Sequence, residues 1–262
     1  MDHIAAPHAL PNVVLIGAMK CGTSALHASL DHHPDIAMSR PKELNFFFGP
    51  VEDGDRGQAP GSAGGDGRSW ATGNWSRGVA WYASHFLPGA PVRGESSPGY
   101  TSPDHPHVAS RMAAMIPDAR LIYLVRDPVA RALSQYRHHR AEGMERRDTA
   151  SALLDPDSQY ITRGLYYERL LPFTAHYPRG QILIVAQEDL RDRPAPTLRR
   201  VFEYLRVDDA SWCDAFECWS DSTAHTTPPL APGVRNRLAV AFRGDVHRLR
   251  TFANQQFAAW SV

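Results

Sequence analysis

The chain has balanced charges and no long hydrophobic run. Lysine plus arginine and aspartate plus glutamate both number 28 in 262 residues. The net charge therefore predicts no general attraction to nucleic acid or to a membrane surface. No run of about 18 apolar residues occurs, and the first residues, MDHIAAPHALPN, lack the basic and apolar regions of a secretory signal. We expect a soluble, cytoplasmic protein in which any anion site is local.

Cysteine is equally scarce. Cys21, Cys213 and Cys218 are an odd and sparse set for a disulfide-rich secreted fold, and their spacing does not match a zinc site. We expect three unpaired thiols and no metal site, with a bridge between Cys213 and Cys218 as the alternative.

Lysine is the rarest basic residue, because arginine supplies nearly all the positive charge. The only two lysines are Lys20 and Lys42. A drift toward arginine would remove lysines that only solvate a surface, so a lysine that persists inside a candidate site is a candidate functional group. Chance placement is the alternative for both.

Apolar runs alternate with helical patterns along the chain. Strands are predicted at 13–16, 121–125 and 181–186, and helices at 23–32, 128–142, 166–176, 196–205 and 232–252. This alternation predicts an α/β fold with a central, mostly parallel sheet flanked by helices.

The length fits one domain over residues 1–262, with a glycine-rich insertion or loop at about 49–78. Trp70 and Trp75 lie within that segment. Exposed indoles often mark a binding surface, so the segment is either a substrate lid or a partly packed loop.

The stretch VVLIGAMKCGTSAL combines a strand, a turn with two glycines and the start of a helix. This arrangement aims backbone N–H groups and the positive helix end at phosphate or sulfate oxygens. In a Walker A loop a lysine directly follows the second glycine, whereas here Thr23 follows Gly22 and the lysine is Lys20. The best candidate for a magnesium-binding aspartate, Asp127, has Arg126 before it. The loop therefore suits an anion that carries less charge than a γ-phosphate and needs no metal, such as a sulfuryl donor.

The loop resembles the GxxKxGTS/T motif that binds 5′-phosphosulfate in sulfotransferases using 3′-phosphoadenosine 5′-phosphosulfate (PAPS). A second stretch, RDPVARALSQY, resembles the family's 3′-phosphate motif. The resemblance implies a P-loop-like three-layer fold and a PAPS site. Its donor-binding residues would be Lys20, Cys21, Gly22, Thr23, Ser24 and Ala25 from the first motif, and Arg126 and Ser134 from the second.

The resemblance extends over nearly the whole chain and is closest to the heparan-type and bacterial branch of the superfamily. It includes HPDIAMSRPKELNFF, WYASHFLPGA, GESSPGYTSP and GLYYERLLPFTAHYPRG. Two departures weaken the case for heparan as the acceptor: Ser96 replaces a lysine of the GEKTP motif, and Asn45 and Phe48 replace the histidine and the acid of EVHFFD. The region SDSTAHTTPPL also lacks the basic KGR-type loop that closes over the nucleotide in relatives. His225 or Arg235 is the candidate replacement.

The resemblance also implies three catalytic residues. Lys20 would act as the cation beside the bridging oxygen of the donor, and Glu43 as the base that accepts the acceptor's proton. His138 matches a histidine near the acceptor in N-sulfotransferases and is the alternative base. Tyr166, Tyr167, Trp81 and Tyr82 are candidates for stacking on adenine or on a sugar, unless they belong to the core.

We therefore expect transfer of a sulfuryl group from PAPS to a hydroxyl of a carbohydrate or a hydroxylated small metabolite, without a metal, leaving 3′,5′-ADP. Two alternatives stay open at this point: a P-loop kinase or nucleotide hydrolase, and a non-catalytic nucleotide-binding protein. No nucleic-acid partner or membrane span is predicted, and a homo-oligomer is left open. The acceptor itself is not encoded in any motif.

Overall fold

The computed structural model describes residues 9–49, 73–208 and 230–262, and a parallel sheet lies at their centre. Its strands are β1 (Val13–Gly17), β2 (Ile36–Met38), β3 (Val92–Ser96), β4 (Arg120–Val125) and β5 (Ile182–Ala186). They run in the order β2-β3-β1-β4-β5, and each neighbouring pair is parallel. The predicted α/β class is confirmed.

Three strands, β1, β4 and β5, coincide with the predicted apolar runs, whereas β2 and β3 were not predicted. Strand β2 has only three residues, too few for a periodic pattern. Strand β3 reads VRGES and carries Arg93 and Glu95, so its composition is that of a loop. Its pairing with β1 and β2 on both sides makes it a strand.

Helices surround the sheet. They are α1 (Thr23–Asp31), α2 (Gly78–Ala83), α3 (Val108–Met115), α4 (Pro128–Ala141), α5 (Thr149–Leu153), α6 (Gln159–Thr162), α7 (Tyr166–Thr174), α8 (Gln187–Asp192), α9 (Pro194–Leu205) and α10 (Pro232–Ala253). Helices α1, α4, α7, α9 and α10 match predictions to within about two residues at most of their ends.

The sheet is covered on both faces. Every residue of Leu121–Val125 in β4 is fully buried, which requires neighbours on each side of the strand. Helix α1 packs against β1, β2 and β3, helices α8 and α9 pack against β5, and α10 packs against α4 and α7. The architecture is the three-layer arrangement that the resemblance implied.

The strand order changes direction at β1, since β2 and β3 lie on one side of it and β4 and β5 on the other. In such sheets ligands bind at the carboxyl ends of the strands beside this point. Gly17 ends β1 there, and a Cβ at this position would lie 2.3 Å from Thr101 Oγ1. Only glycine allows the chain to pass so close.

Several sequence features lie outside the described residues: 50–72 of the glycine-rich segment with Trp70, as well as Cys213, Cys218 and His225. Trp75, at the end of that segment, packs against Phe46 with ring centroids 5.2 Å apart. The Arg111 guanidinium lies 4.7 Å above the same indole. In the described ranges, no helix has the length and apolar character needed to cross a membrane.

Candidate anion and transfer site

The loop between β1 and α1 leaves helix N–H groups open at the carboxyl edge of the sheet. Lys20 and Gly22 adopt left-handed φ angles of 65° and 87°, which turn the chain into the helix. No side chain caps α1, and the N–H groups of Gly22, Thr23 and Ser24 donate to no acceptor within the described residues. The Ala25 N–H donates to the Gly22 carbonyl at 3.1 Å. Free N–H groups at a helix start bind anionic oxygens.

Lys20 lies half-buried in this loop, and Arg126 extends toward it from the end of β4. Arg126 Nη1 donates to the Lys20 carbonyl oxygen at 3.5 Å. Desolvation lowers the pKa of the Lys20 ammonium, the Arg126 charge acts in the same direction, and the charges of Glu142 and Glu43 oppose them. Among the described residues Arg126 forms no ion pair. The two predicted anion motifs therefore meet at one place.

Ser134 lies on α4, two turns beyond Arg126. It is half-buried, and its hydroxyl has no hydrogen-bond partner among the described side chains and backbone. Arg137 lies one turn later. Desolvation lowers its pKa, and the Arg126 charge adds a smaller effect in the same direction. Two guanidinium groups whose charges act on each other, with a hydroxyl between them in sequence, are groups that suit a phosphate. Arg137 was not predicted as a donor-binding residue, although its i+3 spacing from Ser134 could have indicated it.

Asp127 caps α4, as predicted. Its carboxylate accepts the Ala130 N–H at 2.9 Å and also the N–H of Ser261. Its own N–H donates to Glu188 Oε1 at 2.9 Å. The aspartate that a magnesium-dependent Walker site would require is thus committed to helix capping and to anchoring the C-terminal segment.

Cys21 turns its side chain away from the loop and into the core. The thiol is fully buried, and Sγ lies 3.5 Å from the Tyr166 hydroxyl. Burial raises the pKa of Cys21 to about 11. Any contact of Cys21 with a bound anion must therefore come from its backbone. The Tyr166 and Tyr82 rings are also fully buried, so the suggestion that they stack on a ligand is wrong.

Glu43 lies on the same side as Lys20, in the segment that follows β2. Its φ is 65°, and its N–H donates to the Ser96 carbonyl at 2.9 Å. The Glu43 carboxylate pairs with Lys42 and stays partly exposed, and its charge acts on the Lys20 pKa. The predicted cation and the predicted base therefore lie near enough for their charges to interact.

The two adjacent histidines of α4 face different surroundings. His138 is exposed, with Nε2 lying 3.4 Å from Glu142 Oε1. His139 is buried, and its Nδ1 lies 2.9 Å from the Tyr160 hydroxyl. His138 has no direct contact with Lys20, and Glu142 lies near both.

A buried polar group behind Glu43 was missed by sequence reasoning. Ser96 Oγ lies 2.9 Å from His27 Nδ1. Glu95 is completely buried and accepts hydrogen bonds from Tyr82 at 2.6 Å and Tyr100 at 2.8 Å. Burial raises the pKa of Glu95 to about 7. The Tyr100 hydroxyl also accepts the Phe46 N–H at 3.0 Å, which fixes this buried group against the segment that carries Glu43.

A family model describing the sulfotransferase family matches residues 11–211. The chain belongs to the sulfotransferase family. This confirms the resemblance that the two anion motifs indicated.

Curated relatives include enzymes of heparan sulfate. Over 96% of its length the chain is 26% identical to the bifunctional heparan sulfate N-deacetylase/N-sulfotransferase 2 of Bos taurus. Over 75% it is 33% identical to the heparan sulfate glucosamine 3-O-sulfotransferase 3B1 of Mus musculus. The matched regions cover 30% and 46% of those two proteins, so the chain corresponds to less than half of either.

A solved structure, a sulfotransferase from Alicyclobacillus acidocaldarius, matches the whole sulfotransferase fold. It has 26% sequence identity and a TM-score of 0.76, and the match covers 97% of this chain and all of the other. This supports the P-loop-like assignment and shows a bacterial enzyme of comparable extent.

Proposed function

We propose that this sulfotransferase moves a sulfuryl group from PAPS to a hydroxyl of a carbohydrate or a hydroxylated small metabolite. The observation that carries the proposal is the hydrogen bond from Arg126 to the Lys20 carbonyl, 3.5 Å long. It supports the proposal because the two anion motifs meet there, and a donor with phosphate groups on both the 3′ and 5′ sides requires two neighbouring anion sites.

The residues suit the two charged ends of PAPS. The open N–H groups of Thr23 and Ser24 and the Lys20 ammonium would hold the 5′-phosphosulfate. Arg126 and Ser134 would hold the 3′-phosphate, because a guanidinium and a hydroxyl form charge-assisted hydrogen bonds with phosphate oxygens.

The transfer is proposed to run in line. The acceptor oxygen forms a bond to sulfur while the bond from sulfur to the bridging phosphate oxygen breaks. The Lys20 ammonium stabilises the negative charge that develops on the bridging oxygen. The proton of the acceptor hydroxyl goes to Glu43, and the products are a sulfate ester and 3′,5′-ADP. The protein cation supplies the charge that a metal supplies in phosphoryl transfer.

Glu43 is the proposed base, and two contacts support that role. Its N–H donates to the Ser96 carbonyl at 2.9 Å, and its carboxylate pairs with Lys42. The Glu43 charge also acts on the pKa of Lys20. His138 is the second candidate, because it is exposed and lies beside Glu142, whose charge acts on the pKa of Lys20.

The proposed acceptor class draws on the relatives, whose names refer to heparan sulfate glucosamine. Ser96 occupies a position at which such relatives carry a lysine, and the chain has no net charge. We therefore favour a short or uncharged hydroxylated acceptor over a long polyanion.

Calorimetry with 3′,5′-ADP tests the donor site. Wild-type protein should bind it, and Arg126→Ala should weaken binding about 10- to 100-fold, since a hydrogen bond to a charged group is worth about 1.5–3 kcal/mol. Absence of binding, or equal binding by both proteins, would contradict the proposal.

Turnover of PAPS then tests the activity against a panel of acceptors: unsulfated heparosan hexasaccharide, a methyl glucoside, 4-nitrophenol and a nucleoside. Product formation separates an enzyme from a non-catalytic nucleotide-binding protein. Magnesium-dependent release of phosphate from ATP would instead favour the kinase or hydrolase alternative.

A further inference from the structure

The buried histidine of α4 begins a chain of polar contacts that no motif predicts. His139 Nδ1 lies 2.9 Å from the Tyr160 hydroxyl. The Tyr160 hydroxyl lies 3.2 Å from Glu145 Oε2, and Glu145 Oε2 accepts a hydrogen bond from Arg147 Nη2 at 2.8 Å. The chain connects the end of α4 with α6 and with the segment between them.

The turn after α4 produces this arrangement. Gly143 adopts a left-handed φ of 73°, which folds the backbone back on the helix end. The N–H groups of Met144 and Glu145 then both donate to the His139 carbonyl, at 2.8 and 3.1 Å. This places the Glu145 side chain near His139, six residues before it.

Glu145 is held as a carboxylate. Its Oε1 accepts the N–H groups of Arg146 and Arg147, each at 2.9 Å. The Arg147 hydrogen bonds lower the pKa of Glu145 to about 2. At neutral pH this side chain can only accept hydrogen bonds.

The ionised Glu145 fixes the order of protons along the chain. Tyr160 has one hydroxyl proton, and the carboxylate is its strongest available acceptor. The Tyr160 oxygen must therefore accept from His139, so that the proton of the imidazole lies on Nδ1. The Nε2 lone pair is left free.

His139 Nε2 is the ring atom left available to a ligand. Nε2 has no hydrogen-bond partner within the described residues. The atom is not fully enclosed by protein, so a ligand can reach it. Burial, followed by the charges of His138 and Arg163, lowers the pKa of His139 to about 4, with a smaller effect in the same direction from Lys20 and an opposing one from Glu142.

Arg163 ties this region to the anion loop. Its Nη1 donates to Met19 Sδ at 3.1 Å, and its Nη2 donates to Asp104 Oδ2 at 2.6 Å. The groups around His139 thus come from the loop of Lys20, from the segment after α6 and from α4 itself. An uncharged acceptor atom therefore lies near the Arg163–Asp104 ion pair and within reach of the charges of Lys20 and Glu142.

We propose that His139 Nε2 accepts a hydrogen bond from a hydroxyl of the acceptor substrate, and that Tyr160 and Glu145 are positioning residues that hold the imidazole in the required tautomer. This inference rests on the proposed sulfuryl transfer. A neutral lone pair selects a group that carries a proton and disfavours a carboxylate or sulfate at the same position. His139 would thus orient the acceptor, while Glu43 removes its proton.

Nitrogen NMR of the histidine-labelled full chain tests the tautomer without any acceptor. The His139 signals, assigned by their loss in His139→Gln, should show a proton on Nδ1 and none on Nε2 at pH 7. Tyr160→Phe should produce a mixture of tautomers, because the acceptor for Nδ1–H is removed. A proton on Nε2 in the wild type would overturn the inference.

Kinetics with the panel compound that is turned over, heparosan hexasaccharide first, tests the contact itself. His139→Phe should raise the acceptor KM about 10-fold, as loss of a hydrogen bond of about 1.4 kcal/mol implies. His139→Gln, whose amide oxygen can replace Nε2 as acceptor, should bring the acceptor KM back close to the wild-type value. His176→Ala, at an exposed position, is the control and should leave the KM unchanged. An unchanged acceptor KM in His139→Phe would overturn the inference.

These outcomes separate the two proposals. Absence of 3′,5′-ADP binding by the wild type, or binding without sulfation of any panel compound, contradicts the proposed function. Normal turnover with a protonated Nε2, or with an unchanged acceptor KM in His139→Phe, contradicts only the role of His139.

Discussion

Arg126 and Lys20 are joined by a hydrogen bond from the guanidinium Nη1 to the lysine carbonyl oxygen, 3.5 Å long. The contact uses the backbone of Lys20 and leaves its ammonium available. One arginine can therefore support the shape of the anion loop and still present its other nitrogens to a phosphate. The remaining N–H groups of Arg126 have no partner among the described residues.

Arg126 should determine preference for the 3′-phosphate. Wild-type protein is expected to bind 3′,5′-ADP at least about 10-fold more tightly than 5′-AMP, because the additional phosphate gains charge-assisted hydrogen bonds. Arg126→Ala should remove most of this preference. Calorimetry with both nucleotides measures it, and Arg243→Ala, which changes an exposed arginine of α10, is the matched control. A preference that survives in Arg126→Ala would assign the phosphate to another residue.

Lys20 should matter more for turnover than for product binding. Lys20→Ala is expected to lower kcat about 10²- to 10³-fold, the usual effect of removing one group that stabilises a developing negative charge. Binding of 3′,5′-ADP should weaken much less, because that product lacks the sulfuryl group. Single-turnover rates with PAPS and calorimetry separate the two effects. Equal losses in rate and in 3′,5′-ADP affinity would make Lys20 a simple binding residue.

Glu43→Gln should lower kcat about 10²- to 10⁴-fold while the acceptor KM changes little, since the amide keeps the shape but accepts no proton. Steady-state kinetics measures the two constants, and circular dichroism shows whether the variant keeps the secondary structure of the wild type. Full activity in Glu43→Gln, with loss of activity in His138→Gln, would transfer the role of base to His138.

The anion loop and its partner could be predicted from sequence because each is built from neighbouring residues. An apolar strand, a glycine turn and a helix start are all present in VVLIGAMKCGTSAL, and RDP supplies a strand end, a cap and a helix start. The structure places both motifs at the carboxyl edge of the sheet. That adjacency follows from parallel pairing of β1 and β4.

The orientation of the two histidines could not be predicted as readily. Adjacent helix residues point about 100° apart, so His138 and His139 must face different surroundings. The pair of His138 with Glu142, four residues later, does indicate an outer face. The role of His139 depends instead on Tyr160 and on the turn that returns Glu145 to the helix end, and these are contacts of tertiary structure.

Cys21 should resist alkylation in the folded protein. Its thiol is fully buried, and its pKa is raised to about 11, so only about one molecule in a thousand carries a thiolate at pH 8. Iodoacetamide treatment at pH 8, read by peptide mass spectrometry, should leave Cys21 unmodified until guanidinium chloride unfolds the chain. Modification of native Cys21 at the rate of the unfolded chain would contradict its placement in the core.

Glu95 should make stability depend on pH. Burial raises its pKa from 4.5 to about 7 in the folded chain, so the folded state holds its proton over a range in which the unfolded state releases it. The contribution of Glu95 to folding is therefore fully present below pH 4.5 and is lost as the pH rises through about 7.

Glu95→Gln removes this titration and keeps acceptor and donor atoms for Tyr82, Tyr100 and Ser97. Relative to this variant, the wild type should lose up to about 3 kcal/mol of unfolding free energy between pH 4.5 and pH 8, at 1.36 kcal/mol per pKa unit. Urea unfolding at several pH values measures the unfolding free energy of both proteins. His139 titrates in both and changes stability in the opposite direction, so its contribution cancels when one free energy is subtracted from the other. Glu203→Gln, at an exposed position of α9, should leave the pH dependence unchanged. Parallel curves for wild type and Glu95→Gln would mean that Glu95 ionises in the folded protein as it does in water.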